Sequence, residues 1–199
     1  MKLILASTSR YRRELLERLH VPFEALPPEV DESPLPGELP GPLSLRLSVA
    51  KALAVAERDP DAVVIGSDQT ATIDGQRSIG KPGTHERAVE QLRASSGREL
   101  VFHTSMAVVR LRDRFERQVT VDTRVRFRVL TDAEIEAYLH AEAAYDCAGS
   151  AKCEGLGISL LDAIESEDPT AIVGLPLIAL ARYLREAGVA VPAPGASAR

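Results

Sequence analysis

Phe115–Leu130 reads FERQVTVDTRVRFRVL. Val119, Val121, Val125, Phe127 and Val129 fall on one side of an extended chain, and Thr120, Asp122, Arg124, Arg126 and Arg128 on the other. A period of two is that of a strand with one buried face. Glu99–Arg112 (ELVFHTSMAVVRLR) precedes it across Asp113-Arg114, so the two segments predict a long hairpin. At the amino end, Leu3–Ala6 is a short apolar run suited to a buried strand. Ser7-Thr8-Ser9 ends it and supplies capping hydroxyls, and Leu15, Leu16 and Leu19 follow at helical spacing. A strand–turn–helix start combined with a long hairpin predicts a mixed α/β layer fold.

Between these anchors, Val21–Leu26 and Ala62–Gly66 predict strands, with Thr70–Ile73 as a continuation of the second before an Asp74-Gly75 turn. Leu43–Arg58, Thr84–Ala94 (capped by Thr84), Asp132–Ala141 and a segment carrying Leu177, Leu180 and Leu184 predict helices, the last stopping at Gly188. Ile158–Ile164 reads as a further strand. Seven of the 13 prolines lie between residues 22 and 42, which excludes a helix, disfavours a central strand there and predicts a long irregular loop, of a kind that is usually functional or mobile. The Pro/Ala/Gly/Ser tail, 192–199, is expected to be disordered, which leaves 1–191 as one folded domain.

The 199 residues are 45% apolar and 27% charged, enough for a core without disulfides or structural metal. A net charge of -5 argues against a non-specific nucleic-acid binder, although local basic clusters can still take a small anion. Cys147 and Cys153 have neither disulfide-framework nor zinc-finger spacing and read as reduced core thiols. The apolar start is too short for a signal peptide, and no run approaches a membrane span, so a soluble cytoplasmic protein is expected.

Five stretches carry possible chemistry. Ser7–Arg13 sets a helix start behind a small polar turn, a phosphate-binding geometry to which Arg12 and Arg13 add charge. Basic residues in a first turn oppose the helix dipole, a misfit that a bound anion would relieve. Glu29-Val30-Asp31-Glu32-Ser33 offers carboxylates for a hard cation. Asp68, in Ser67-Asp68-Gln69, is placed at a strand end, able to hold Mg²⁺ or orient a water. Lys81, in Gly80-Lys81-Pro82, and Lys51 are candidate phosphate contacts. Cys147–Gly155 supplies small residues for close ligand approach, with Glu154 as its acid. Each stretch taken alone is equally a cap, a turn or a solvated face. Together they suit a phosphorylated substrate and a divalent metal. Walker-type GxxxxGK[ST] and GxGxxG loops are missing, which disfavours P-loop and dinucleotide classes.

The strings LILASTSRYRRELL, PEVDES, IGSDQT, GKP, CAGSAKCEGLGISL and VGLPLIAL occur in an order that resembles the Maf family of nucleoside triphosphate pyrophosphatases. The SDQ and CAGSxKxEG forms resemble its 7-methyl-GTP branch more than its dTTP/UTP branch. The resemblance implies a mixed central sheet flanked by helices, in two lobes with a cleft, and usually a homodimer. It implies hydrolysis of a nucleoside triphosphate to monophosphate and pyrophosphate with Mg²⁺ or Mn²⁺. Asp68 matches the catalytic carboxylate and a metal ligand, and Glu32 a second metal contact. Ser7, Arg12, Arg13, Lys51 and Lys81 match phosphate-binding positions, and Tyr11, Gln69 and Glu154 match positions tied to base preference. The chain departs from the family with Arg10 for Pro, Tyr11 for Trp and Ser105 for Gly. Hydrolysis of dTTP, UTP or another non-standard nucleotide, and a nucleotide-binding role in regulating septum formation, stand as alternatives.

Overall fold

The computed structural model describes residues 1–192, so the expected tail lies, Pro192 apart, outside the described residues. Six strands form one sheet in the order β2-β1-β3-β4-β5-β6. They are β1 (Leu3–Ala6), β2 (Glu24–Leu26), β3 (Val63–Thr72), β4 (Glu99–Arg110), β5 (Phe115–Phe127) and β6 (Leu161–Ser166). β1 pairs in parallel with β2 and β3, and every later pairing is antiparallel. The helices are α1 (Arg10–Glu17), α2 (Pro40–Ala56), α3 (His85–Ser95), α4 (Asp132–Glu142) and α5 (Leu177–Glu186). The mixed α/β architecture predicted from the hairpin and the strand–turn–helix start is therefore present.

Alternation decides which layer each strand side joins. Leu3 and Leu5 of β1 pack with Leu15 and Leu16 of α1 and Leu180 and Leu184 of α5. Ile4 and Ala6, one residue out of phase, pack on the opposite face with Ala52 and Val55 of α2. A separate cluster joins Leu100, Phe102, Val125 and Phe127 to α3 and α4 through Leu92, Ile135 and Leu139. The three clusters pack on one shared sheet, and a cleft is lined by the turn after β1, by α2 and β3, and by residues between 146 and 154.

Local sequence explains the helix starts. Ser9 and Thr84 accept from the N–H groups of Arg12 and Arg87. Thr131 and Glu134 form a reciprocal capping box on α4. α2 begins at Pro40, inside the stretch from which prolines were expected to exclude helix. Pro40 and Pro42 occupy its first turn, where N–H groups have no intrahelical acceptor and a proline costs nothing.

Three other boundaries differ from expectation. Residues 156–160 form a 3₁₀ turn and the last strand starts only at Leu161, because Gly157 packs directly on the Lys152 backbone; a Cβ there would lie 2.6 Å from Lys152 N. β5 ends at Phe127, and Val129, placed on the apolar face by its period, is 78% exposed. The hairpin turns through a 3₁₀ segment, Leu111–Asp113, with Arg114 left-handed at φ 56°.

Candidate active site

β1 ends at Ala6, paired with Gly66, while β3 continues to Thr72. Asp68 therefore lies within a ten-residue strand rather than at its end, just beyond the point where the parallel neighbour stops. The same stop directs Ser7, Thr8 and Ser9 into the cleft and starts α1 there. Ser7 Oγ accepts from Ser9 N–H at 3.1 Å, which tightens the turn. The first-turn N–H groups of Arg10 and Tyr11 are left without intrahelical acceptors.

Gly66 sets the depth of α2 on the sheet. A Cβ at this position would lie 2.2 Å from Ser48 O and 2.6 Å from Ala52 N. That close approach brings Lys51 of α2 to Asp68, two residues along the same strand face. Lys51 Nζ donates to Asp68 Oδ1 at 2.6 Å and lies 2.9 Å from Glu32 Oε1. The Lys51 and Asp68 side chains are 6% and 10% exposed and Glu32 is 59% exposed, so the pair is internal and the loop acid closes it from outside. Of the other loop acids, Glu29 pairs with Arg58 at 3.5 Å, and Asp31 accepts from Ser33 N–H at 2.9 Å. Glu32 alone among these three acids lines the cleft.

Arg12 also enters the cleft. Burial pulls its guanidinium below the ordinary arginine value, and the charges of Asp68 and Glu32 oppose that pull. Arginine stays charged through such a shift. Its Nε donates to Gly174 O at 2.9 Å, and Ser67 Oγ donates to the same carbonyl at 3.0 Å. The VGLP turn thus aims Arg12, a role that no local pattern announces. Arg13, expected beside it, is not among the cleft-lining residues; one helical step turns it outward to pair with Glu17 at 3.3 Å.

The opposite wall comes from Ser78–Lys81 and Asp146–Glu154. Lys81 is exposed at the rim, and Glu154 is exposed on the far lip. Gln69 lines the cleft, but its amide nitrogen donates to Thr104 Oγ1 and to the carbonyls of Ala171 and Ile172, so it braces the floor. Tyr11 donates its hydroxyl to Asp146 Oδ2 at 3.1 Å, and the Arg10 guanidinium covers one ring face at 4.7 Å from the centroid. Asp146 also meets Lys152 Nζ at 3.1 Å. Burial disfavours its charged form, but the Lys152 and Tyr11 hydrogen bonds outweigh this and hold its carboxyl below the ordinary range. Asp146 lies outside every stretch the sequence marks, and Lys152 lies inside the Cys147–Gly155 stretch without a role assigned to it; their contacts join loops that have no periodicity.

Cys147 and Cys153, expected in the core, instead line the cleft, half-buried. Burial pushes both thiols up to about 12, which disfavours the thiolate.

The cleft encloses about 810 Å³, within the usual range of small-molecule sites. A more open hollow of about 900 Å³ lies between α2 and the β4–β5 hairpin. Among its lining residues Arg46 pairs with Glu38 and His103 with Asp122, and no lysine or second arginine joins them to gather a polyanion. The chemistry belongs to the first cleft. There, Arg12, Lys51, Lys81 and Lys152 face Glu32, Asp68, Asp146 and Glu154 beside a helix start, an arrangement that can hold a polyanion and position a water against it.

That combination of a mixed sheet, a helix start at the mouth of a cleft and an internal lysine–carboxylate pair is a nucleotide-site architecture. A sequence profile described as "Maf-like protein" matches residues 2–187, and the chain belongs to that family. It is 63% identical over 190 residues to a protein of Burkholderia thailandensis named "7-methyl-GTP pyrophosphatase", covering 94% of this chain and 88% of that one. It is 62% identical over 189 residues to a Bordetella pertussis protein of the same name, covering 94% and 93%. A solved HAM1 protein from Coxiella burnetii aligns at 17% identity with a TM-score of 0.48, over 64% of this chain and 73% of that one. Among the described residues, no helix is long and apolar enough to cross a membrane.

Proposed function

We propose that this chain hydrolyses 7-methyl-GTP to 7-methyl-GMP and pyrophosphate, removing a modified nucleotide. The observation that carries the reading is the convergence of Asp68 and Glu32 on one ammonium, Lys51, with Arg12 beside them at the start of α1. Binding alone requires cations. A buried carboxylate at the centre of the cationic cluster is what hydrolysis adds.

Arg12, Lys51 and Lys81, with the Ser7 turn and the first N–H groups of α1, hold the triphosphate tail. Lys51 engages Asp68 Oδ1 and leaves Oδ2, which no described residue bonds, to orient the attacking water in line with the α-phosphorus. Charge that develops on the leaving pyrophosphate falls on the Arg12 and Lys51 side. Glu32 and Asp68 form an all-oxygen donor pair suited to a hard cation. Glu32 and Asp68 would hold Mg²⁺ or Mn²⁺, whose charge would neutralise the phosphate oxygens.

At the other end, methylation at N7 leaves guanine cationic. Tyr11 offers its ring to that base, a contact worth about 0.5–2 kcal/mol, and Arg10 fixes the opposite face. Glu154 accepts from the N1 and N2 edge and, with Asp146, opposes the positive charge. Gln69 shapes the floor rather than reading the base through its amide nitrogen. The same reading includes a homodimer, a cytoplasmic location and no nucleic-acid polymer or membrane partner.

A panel of 7-methyl-GTP, GTP, dTTP and UTP, with pyrophosphate release coupled to phosphate detection, tests this. Under the proposal the methylated nucleotide has the highest kcat/KM, and Glu154→Gln lowers it more than it lowers that for GTP. Preference for dTTP or UTP would move the chain to the other branch, and no turnover with any triphosphate or metal would favour the regulatory role.

A further inference from the structure

Two of the chain's four histidines meet where α3 packs beside α4, on residues that do not line the cleft. His85 is the first residue of α3, and Glu136 and His140 stand one turn apart on α4, on one face. His85 Nε2 lies 2.8 Å from Glu136 Oε2, and His140 Nε2 lies 3.8 Å from the same oxygen. One ligand atom from each residue fits within a group whose members are all within 4.8 Å of one another. The two imidazole rings face each other with centroids 5.3 Å apart and planes 30° apart.

We propose that His85, Glu136 and His140 bind a zinc-class divalent cation at a site separate from the cleft. Two imidazole nitrogens and one carboxylate oxygen are a ligand set that zinc takes with a water in the fourth position, whereas Mg²⁺ and Mn²⁺ favour all-oxygen sets. Bonds of about 2.0–2.1 Å in a tetrahedron put ligand atoms roughly 3.3 Å apart. The separations of 2.8 and 3.8 Å from Glu136 Oε2 bracket that value, and with all three ligand atoms within 4.8 Å of one another, side-chain rotations can bring the set onto one ion.

The surroundings support the assignment. A metal-bound histidine needs its second nitrogen held, which fixes its tautomer. Tyr145 Oη lies 3.0 Å from His85 Nδ1 and takes that part, accepting from Nδ1–H when Nε2 carries the metal. A simple ion pair uses one histidine and one acid; here a second ring stacks on the first and reaches the same oxygen. Two stacked imidazolium cations would repel, whereas two neutral rings that share one cation do not.

The site also ties distant segments together. It joins the start of α3 to α4, and Tyr145, through its carbonyl, accepts from Gly83 N–H at 3.1 Å, two residues after Lys81. The next residue, Asp146, holds Tyr11 and Lys152. A bound cation therefore clamps both rim loops from outside.

The test uses the untagged full chain with Cys147→Ser and Cys153→Ser, which removes the only thiols. Zn²⁺ is titrated calorimetrically with Mg²⁺ at saturation, and Co²⁺ is followed by its visible tetrahedral bands. One equivalent of Zn²⁺ should bind, weakened tenfold or more in His85→Ala and His140→Ala and about tenfold in Tyr145→Phe. His140 is exposed, so its replacement leaves the fold intact. At a hundredfold excess of Zn²⁺ over its dissociation constant the melting temperature should rise by roughly 5–10 °C, and should not rise in His140→Ala. No binding in the serine background, or equal binding in His140→Ala, would overturn the proposal.

Discussion

Replacing Lys51 by methionine keeps the packed stem of the side chain but removes its ammonium. Lys51 is 6% exposed and its partner Asp68 10% exposed. Deleting one partner of an internal pair leaves the other charge uncompensated and costs about 3–5 kcal/mol. The second contact, to half-exposed Glu32, adds at most about 1 kcal/mol because water screens it. For a chain of this length each kcal/mol moves the melting temperature by about 2–4 °C. Lys51→Met should therefore melt roughly 6–24 °C below the parent. In an Asp68→Asn background the same replacement should cost less, with a coupling of about 1–3 kcal/mol. Mg²⁺ or Mn²⁺ should raise the melting temperature of Lys51→Met more than that of the parent, since two carboxylates then lack their shared counter-charge. Thermal denaturation of the four proteins, with and without metal, reads all three effects. A loss under about 1 kcal/mol, or an equal loss in both backgrounds, would refute the reasoning.

Two further predictions concern other parts of the frame. Gly66→Ala drives a methyl into the α2 backbone at Ser48 and Ala52; it should cost at least about 1–3 kcal/mol and lower turnover by displacing Lys51, measurable as melting temperature and kcat. Glu134 is held down to about 2 from an ordinary 4.5, chiefly by the Thr131 N–H and also by the Thr131 hydroxyl and Arg128. Its folded-state value is depressed, so its contribution is full above about pH 4.5 and is lost as pH falls toward about 2; acid unfolding of Glu134→Gln should show a shallower dependence in that window.

Some of this architecture is plain in the sequence, and the reasons differ by element. β5 announces itself because one face is buried and the other largely exposed, so from Val119 to Phe127 every second residue is apolar except Thr123. β3 is harder to read through Ser67-Asp68-Gln69. Beyond Gly66 its parallel neighbour has ended, and polar residues face the cleft while the backbone still pairs with β4. Arg12 and Arg13 are indistinguishable by type and motif; only the phase of α1, fixed by Leu15 and Leu16 packing inward, separates the cleft residue from the outward one. Asp146 and the Gly174 carbonyl act through contacts 135 and 162 residues away in sequence, between Tyr11 and Asp146 and between Arg12 and Gly174, and an aperiodic loop carries no trace of them. The histidine–glutamate cluster is hidden for the same reason, since His85 and Glu136 lie 51 residues apart.

Turnover of 7-methyl-GTP by Asp68→Asn bears most directly on the claim that this cleft splits a triphosphate. The replacement is nearly isosteric and keeps a hydrogen-bond acceptor for Lys51. It should leave the circular dichroism spectrum intact while lowering kcat by about 10²–10⁴-fold. Release of pyrophosphate at the parental rate by the folded variant would contradict the account.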